Sequence, residues 1–186
     1  HGIGRRQRQM CIRDRSNETP WGTMKYLELA ETKSLPRVAS IQNAYNLVNR
    51  GFEIGLSEVA MHEQVGLLAY SPLAQGTLTG KYLGGQMPQG SRLALFGDGP
   101  LMMRYKGDKT QQAIEMYVNL AKKYEIDPAQ LAIQFCNIQP FVTSTIIGAT
   151  TMEQLKTCID SVDLDITKEI MNLSLIHISE PTRRYE

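Results

Sequence analysis

Two glycine-rich signatures are missing from this 186-residue chain: it has no GxGxxG and no GxxxxGK[ST]. Their absence excludes an ordinary dinucleotide fingerprint and a Walker-type phosphate loop. No apolar run is long enough to cross a bilayer. The three cysteines lack paired spacing, which argues for a reducing, cytoplasmic compartment rather than a disulfide framework. His62 has no second ligand at useful spacing, so no metal site is expected. No acid, base or nucleophile constellation can be assembled, and no catalytic residue is nominated. What is present, 42% hydrophobic and 21% charged residues, suffices for the core of one globular domain.

The two ends read unlike the rest. Arg5 to Asp14 (RRQRQMCIRD) resembles a translated transposase adapter from short-read sequencing libraries, and Leu173 to Arg183 resembles the opposite adapter. A nucleic-acid-binding arm or a targeting signal is therefore set aside. Residues 1–15 and 173–186 are expected to be a non-native head and tail around a biological segment running from about Ser16 to Asn172. The head holds five arginines and one aspartate, the tail two arginines and two glutamates. Segment 16–172 thus keeps 13 basic and 16 acidic residues, a charge of −3 in place of +1.

Within that segment, Thr19-Pro20 pairs a capping hydroxyl with proline at the first helical position, and Trp21, Met24, Leu27, Leu29 and Ala30 recur at helical spacing. Arg37 to Gln42 reads as a strand, and Phe52 to Gln64 as a helix with Leu56, Val59 and Ala60 on one side. Val65 to Ala69 is a short apolar run typical of a strand buried on both faces. A long Gly/Pro/Met-rich loop, Gly84 to Asp108, follows. Helices are expected over Lys109 to Tyr124 and from Asp127-Pro128 to Asn137. Phe141 to Gly148 is β-rich, and Thr150 with Glu153 has capping-box spacing for a helix from Thr151 to about Val162. Asp165 to Asn172 begins one more helix. This alternation predicts an α/β fold of parallel strands joined by right-handed crossovers.

Three strand ends carry polar groups: Gln42-Asn43, Tyr70-Ser71 and Gly148 to Gln154. In a parallel sheet these converge on one edge, where an amide, an aromatic ring and a helix N-terminus could meet a single ligand. The combination suits a nucleotide. Taken singly, each residue is better read as a packed ring, a satisfied amide or a plain helix cap, and only their joint occurrence shifts the balance.

The strings SNET (Ser16 to Thr19), SIQNAYNLVNRGFE, LLAYSPLAQGTLTGKY and STIIGATTMEQLK resemble the carboxyl-terminal half of the aldo-keto reductases, most closely their Tas-like branch. The resemblance implies the carboxyl-terminal portion of a (β/α)8 TIM barrel, with the last three complete strands and the loop after the fifth. It also implies an NADP cofactor and a small-molecule carbonyl substrate in the complete protein, with neither nucleic acid nor membrane as partner. Ser16, Asn17 and Gln42 match the positions that hold the nicotinamide carboxamide, and Tyr70 the ring that stacks on the nicotinamide. Ser71, Pro72, Leu73, Gly76 and Lys81 match the pyrophosphate-wrapping loop, with Arg92 a further phosphate contact. Gly148, Thr150 and Gln154 match the segment around the adenosine 2′-phosphate. Cys158 stands where the family usually has asparagine near the adenine, and Ala44 replaces a usual proline. The family's catalytic Asp, Tyr, Lys and His come from its amino-terminal half, to which no position here corresponds. A second activity consistent with the resemblance is a non-catalytic NADP-binding regulatory subunit, as in the potassium-channel beta subunits that share the fold.

Overall fold

The computed structural model describes residues 13–97 and 99–172; the expected tail and nearly all of the expected head lie outside the described residues. Four strands alternate with helices. In chain order these are β1 (Asp14–Ser16), α1 (Pro20–Thr32), β2 (Ser40–Ala44), α2 (Leu56–Glu63), β3 (Gly66–Tyr70), α3 (Arg92–Phe96), α4 (Pro100–Met103), α5 (Asp108–Lys123), α6 (Pro128–Asn137), β4 (Val142–Thr145) and α7 (Met152–Asp160). A further helical stretch covers 168–172. The expected long loop is broken by α3 and α4, each too short to pack a full face of its own.

The helix starts follow their caps. Thr19 accepts the Gly22 N–H ahead of Pro20, and Asp127 accepts the N–H groups of Ala129 and Gln130 ahead of Pro128. The apolar residues at helical spacing do not all face the core: α1 buries Thr23, Leu27 and Ala30, whereas Trp21 is 77% and Met24 43% exposed. At about 100° per residue, Trp21 sits roughly 240° round the helix from Leu27.

All four strands are parallel, in the order β1-β2-β3-β4. The register places Ser16 beside Gln42, and Ala44 beside Tyr70. Alternation then splits the sheet into two faces. Ile41, Leu67 and Ala69 are fully buried in one core with Leu56, Ile114, Val118, Ala132 and Phe135 from the helices. Each such large aliphatic side chain contributes about 1.5–3 kcal/mol. The opposite face carries Ser40, Gln42, Leu68 and Tyr70, all half-buried. A bulge between Leu67 and Leu68 shifts the β4 register, and Thr143 fills the space above Gly66, where an added Cβ would lie 1.8 Å from Thr143 Oγ1.

β1 crosses the expected boundary at Ser16. Asp14 and Arg15 pair with Ser40 and Ile41, and the Ser40 hydroxyl donates to Asp14 Oδ1 at 2.6 Å; polar side chains hold this strand, which is why no apolar pattern announces it. Arg15 falls on the helix-covered face beside Ile41. Its guanidinium lies 4.1 Å from the Tyr26 ring centroid, and its Nε is buried without a hydrogen-bond partner. An orphaned buried donor costs about 1–3 kcal/mol, more than the roughly 0.5–1 kcal/mol of a cation–π contact returns. Arg15→Val should therefore raise the urea unfolding free energy by about 1 kcal/mol; a lowered midpoint would show that the ring contact dominates.

Candidate functional site

The carboxyl ends of the four strands form one edge of the sheet, and the expected site residues fall along it. After β1, Asn17 turns with φ 57° and its N–H donates to the Gln42 carbonyl at 3.0 Å. Its side chain then accepts the Tyr70 hydroxyl at 2.8 Å. Ends of β1, β2 and β3 are thus stitched together across Ser16, Asn17, Gln42 and Tyr70. The Gln42 amide projects from the half-buried face, and among the described residues no side-chain partner holds it. Asn43, one position on, faces the other way and exchanges hydrogen bonds of 3.1 Å with the Glu18 backbone.

Past Tyr70 the chain enters left-handed backbone at Ser71 (φ 56°), Ala74 (φ 48°), Gln75 (φ 62°) and Gly76 (φ 92°). Non-glycine residues there each cost about 1 kcal/mol and collect at functional sites. Gly76 suits its φ of 92°, which a side chain would adopt only with strain, and the flexible end of Lys81 lies across it, with Cε and Nζ 3.0 Å from where a Cβ would stand. Gln75 donates to Ser71 Oγ at 2.9 Å and accepts from Arg92 Nη1 at 2.8 Å. Lys81 and Arg92 therefore both reach the loop that begins at Tyr70, leaving it strongly cationic. Pro72 is buried and Leu73 packs on the core, so these two brace the loop from below.

The β4 end is organised differently from the expectation. Thr151, not Thr150, caps α7, accepting the Gln154 N–H at 3.2 Å. Gln154 Oε1 reaches back to accept both the N–H and the hydroxyl of Thr150, at 3.0 and 3.1 Å. Glu153 takes no part in the cap. Successive threonines each have an acceptor three residues on, so sequence alone leaves that register ambiguous. Gly148, Thr150 and Gln154 are all exposed. Cys158 is turned into the protein, where burial and the Asp127 carboxylate raise its thiol.

Three groups escaped the sequence reading, two of them, Arg104 and Asn46, because they act across long separations. Arg104, after α4, lies near the Tyr70 hydroxyl, and that interaction, with neighbouring Tyr105, raises its guanidinium further despite partial burial. Asn46 is fully buried beneath Ser71. Below the loop after β2, Arg50 pairs with both oxygens of Glu53, each at 2.7 Å, and Tyr45 donates to Glu53 at 2.7 Å. Burial first, then that bond, pushes the Tyr45 hydroxyl far above the ordinary tyrosine range. Burial pulls Arg50 down, but Glu53 outweighs it and its net shift is upward.

A family model described as "Aldo/keto reductase family" matches residues 16–174. The chain belongs to the aldo/keto reductase family. The barrel of that family has eight strands; the described residues hold four parallel ones, three of them wholly within the matched segment. It is 52% identical over 156 residues to protein tas of Escherichia coli, covering 84% of this chain and 44% of that protein. It is 34% identical over 144 residues to the L-glyceraldehyde 3-phosphate reductase of E. coli, covering 76% and 41%. A probable voltage-gated potassium channel subunit beta of Oryza sativa is 35% identical over 122 residues, covering 64% and 37%. The chain spans less than half the length of these curated relatives.

Glu53→Gln should lower the unfolding free energy by about 2 kcal/mol, because it strands the Arg50 charge in a site less than one-third exposed. A loss below about 0.5 kcal/mol in urea titrations would mean that solvent already screens the pair.

Proposed function

We propose that this chain carries the cofactor-binding edge of an NADP-dependent aldo-keto reductase, whose complete barrel reduces aldehydes or ketones to alcohols by hydride transfer. The observation that carries the reading is the loop after Tyr70. An aromatic ring fixed through its hydroxyl leads directly into strained backbone that the side chains of Lys81 and Arg92 reach, which suits a planar ring joined to a pyrophosphate. The half-buried Gln42 amide without a side-chain partner, beside Ser16 and Asn17, supplies donors and acceptors of the kind a carboxamide needs.

When bound, NADPH supplies the hydride. The residues of this chain have other tasks: they bind and orient. Tyr70 offers one ring face as a platform, with its hydroxyl engaged by Asn17, near Arg104, and so unavailable as a proton donor. Ser16, Asn17 and Gln42 orient the carboxamide. Ser71, Gly76, Lys81 and Arg92 hold the pyrophosphate, with Pro72 and Leu73 beneath them. Gly148, Thr150 and Gln154 face the adenosine 2′-phosphate at the positive end of α7. The proton donor of the complete enzyme belongs to residues outside this chain.

Titration of the chain with NADPH, followed by nicotinamide fluorescence, should show saturable binding stronger than that of NADH. Lys81→Met should weaken it at least about tenfold, the scale of losing one charge-assisted contact of about 1.5 kcal/mol or more. Absence of any fluorescence change up to millimolar NADPH would overturn the proposal.

A further inference from the structure

We propose that Asn46, which lies outside the ligand-facing edge, is a positioning residue that sets the Tyr70–Ser71 turn and thereby the platform on which the cofactor reading rests. Asn46 is 0% exposed, and both protons of its amide nitrogen and its amide oxygen are engaged. Nδ2 donates to the Ser71 carbonyl at 2.8 Å and to the Tyr105 hydroxyl at 3.2 Å, while Oδ1 accepts the Val48 N–H at 3.1 Å. Its own backbone pairs with Asn49 in both directions, so the residue is immobile from both ends.

What it holds is a strained point. Ser71 has φ 56°, and a serine in the left-handed region relaxes to ordinary backbone unless something opposes it. Its carbonyl accepts from Ala74 N–H at 2.9 Å and from Asn46, which fills both lone pairs and fixes the peptide plane. The preceding carbonyl, of Tyr70, accepts the Tyr45 N–H at 3.3 Å. Consecutive residues of the β2 loop therefore grip consecutive carbonyls of the turn after β3.

The second arm runs through Tyr105, itself 2% exposed. Tyr105 follows Arg104, whose guanidinium lies near the Tyr70 hydroxyl. Asn46 thus ties the backbone end of Tyr70 to the segment beside its hydroxyl end. A residue buried only for packing would show neither the paired carbonyl grip nor the link across 59 residues to Tyr105.

The test uses the full chain and two variants. Asn46→Asp keeps size and the Val48 contact but turns lone pairs toward the Ser71 carbonyl; Tyr105→Phe removes only the outer arm. Hydrogen exchange without cofactor should accelerate at least tenfold in peptides covering 71–82 in Asn46→Asp, with peptides covering 128–145 unchanged. Tyr105→Phe should accelerate 71–82 by about threefold. NADPH affinity should fall in the same order. Exchange that rises uniformly along the chain, or stays unchanged at 71–82, would overturn the proposal, and if Asn46→Asp does not fold then Tyr105→Phe decides it alone. Failure of the unmodified chain to bind NADPH would remove the cofactor reading, while the exchange pattern would still decide whether Asn46 sets the turn.

Discussion

Parallel pairing of β2 with β3, with Ala44 opposite Tyr70, is the constraint from which the site follows. Because every strand runs the same way, every strand ends at the same edge, and the residues just past those ends must meet there. Asn17 bonds the Gln42 carbonyl and the Tyr70 hydroxyl across that edge. A one-residue slip would send Gln42 and Tyr70 under the helices and bring Ile41 and Ala69 to the open face. The buried aliphatic layer of Ile41, Leu67 and Ala69 is what forbids the slip.

The same division explains the uneven character of the chain. On the helix-covered face, Tyr45 stacks with Phe135 at 5.7 Å and meets Phe141 edge-on at 5.3 Å, closing a dense aromatic floor under the β2 loop. Rigidity there lets the strands end in strained backbone. Left-handed Ser71, Ala74 and Gln75 persist because buried Asn46 and the Arg50–Glu53–Tyr45 network fix the ground on which they stand. Stability in the core and strain at the edge are two sides of one arrangement.

Much of this was legible. Thr19-Pro20 and Asp127-Pro128 declare their helices because a cap followed by proline has few other uses, and Val65 to Ala69 declares a buried strand. The polar strand ends were visible as places, and resemblance to the aldo-keto reductases assigned their expected roles. Other features carry no local signal. β1 is held by backbone pairing and by polar contacts of Asp14 and Arg15 with Ser40 and Tyr26, none of which leaves an apolar pattern. Trp21 shares the helical spacing of Leu27 and Ala30 yet is exposed, because a helical period fixes spacing without fixing phase. Asn46 and Arg104 gain meaning only from partners 25 and more residues away, which no window along the chain contains.

The central claim is that one sheet edge, from Asn17 through Tyr70 and Lys81 to Thr150, forms a single cofactor groove. Amide and side-chain chemical-shift mapping by NMR during addition of NADP+ tests it most directly. The account predicts concentration-dependent shifts clustered at Ser16, Asn17, Gln42, residues 70–81, Arg92 and residues 148–154, with the helix-covered core unmoved. Shifts confined to some other surface, or none at millimolar NADP+, would contradict it.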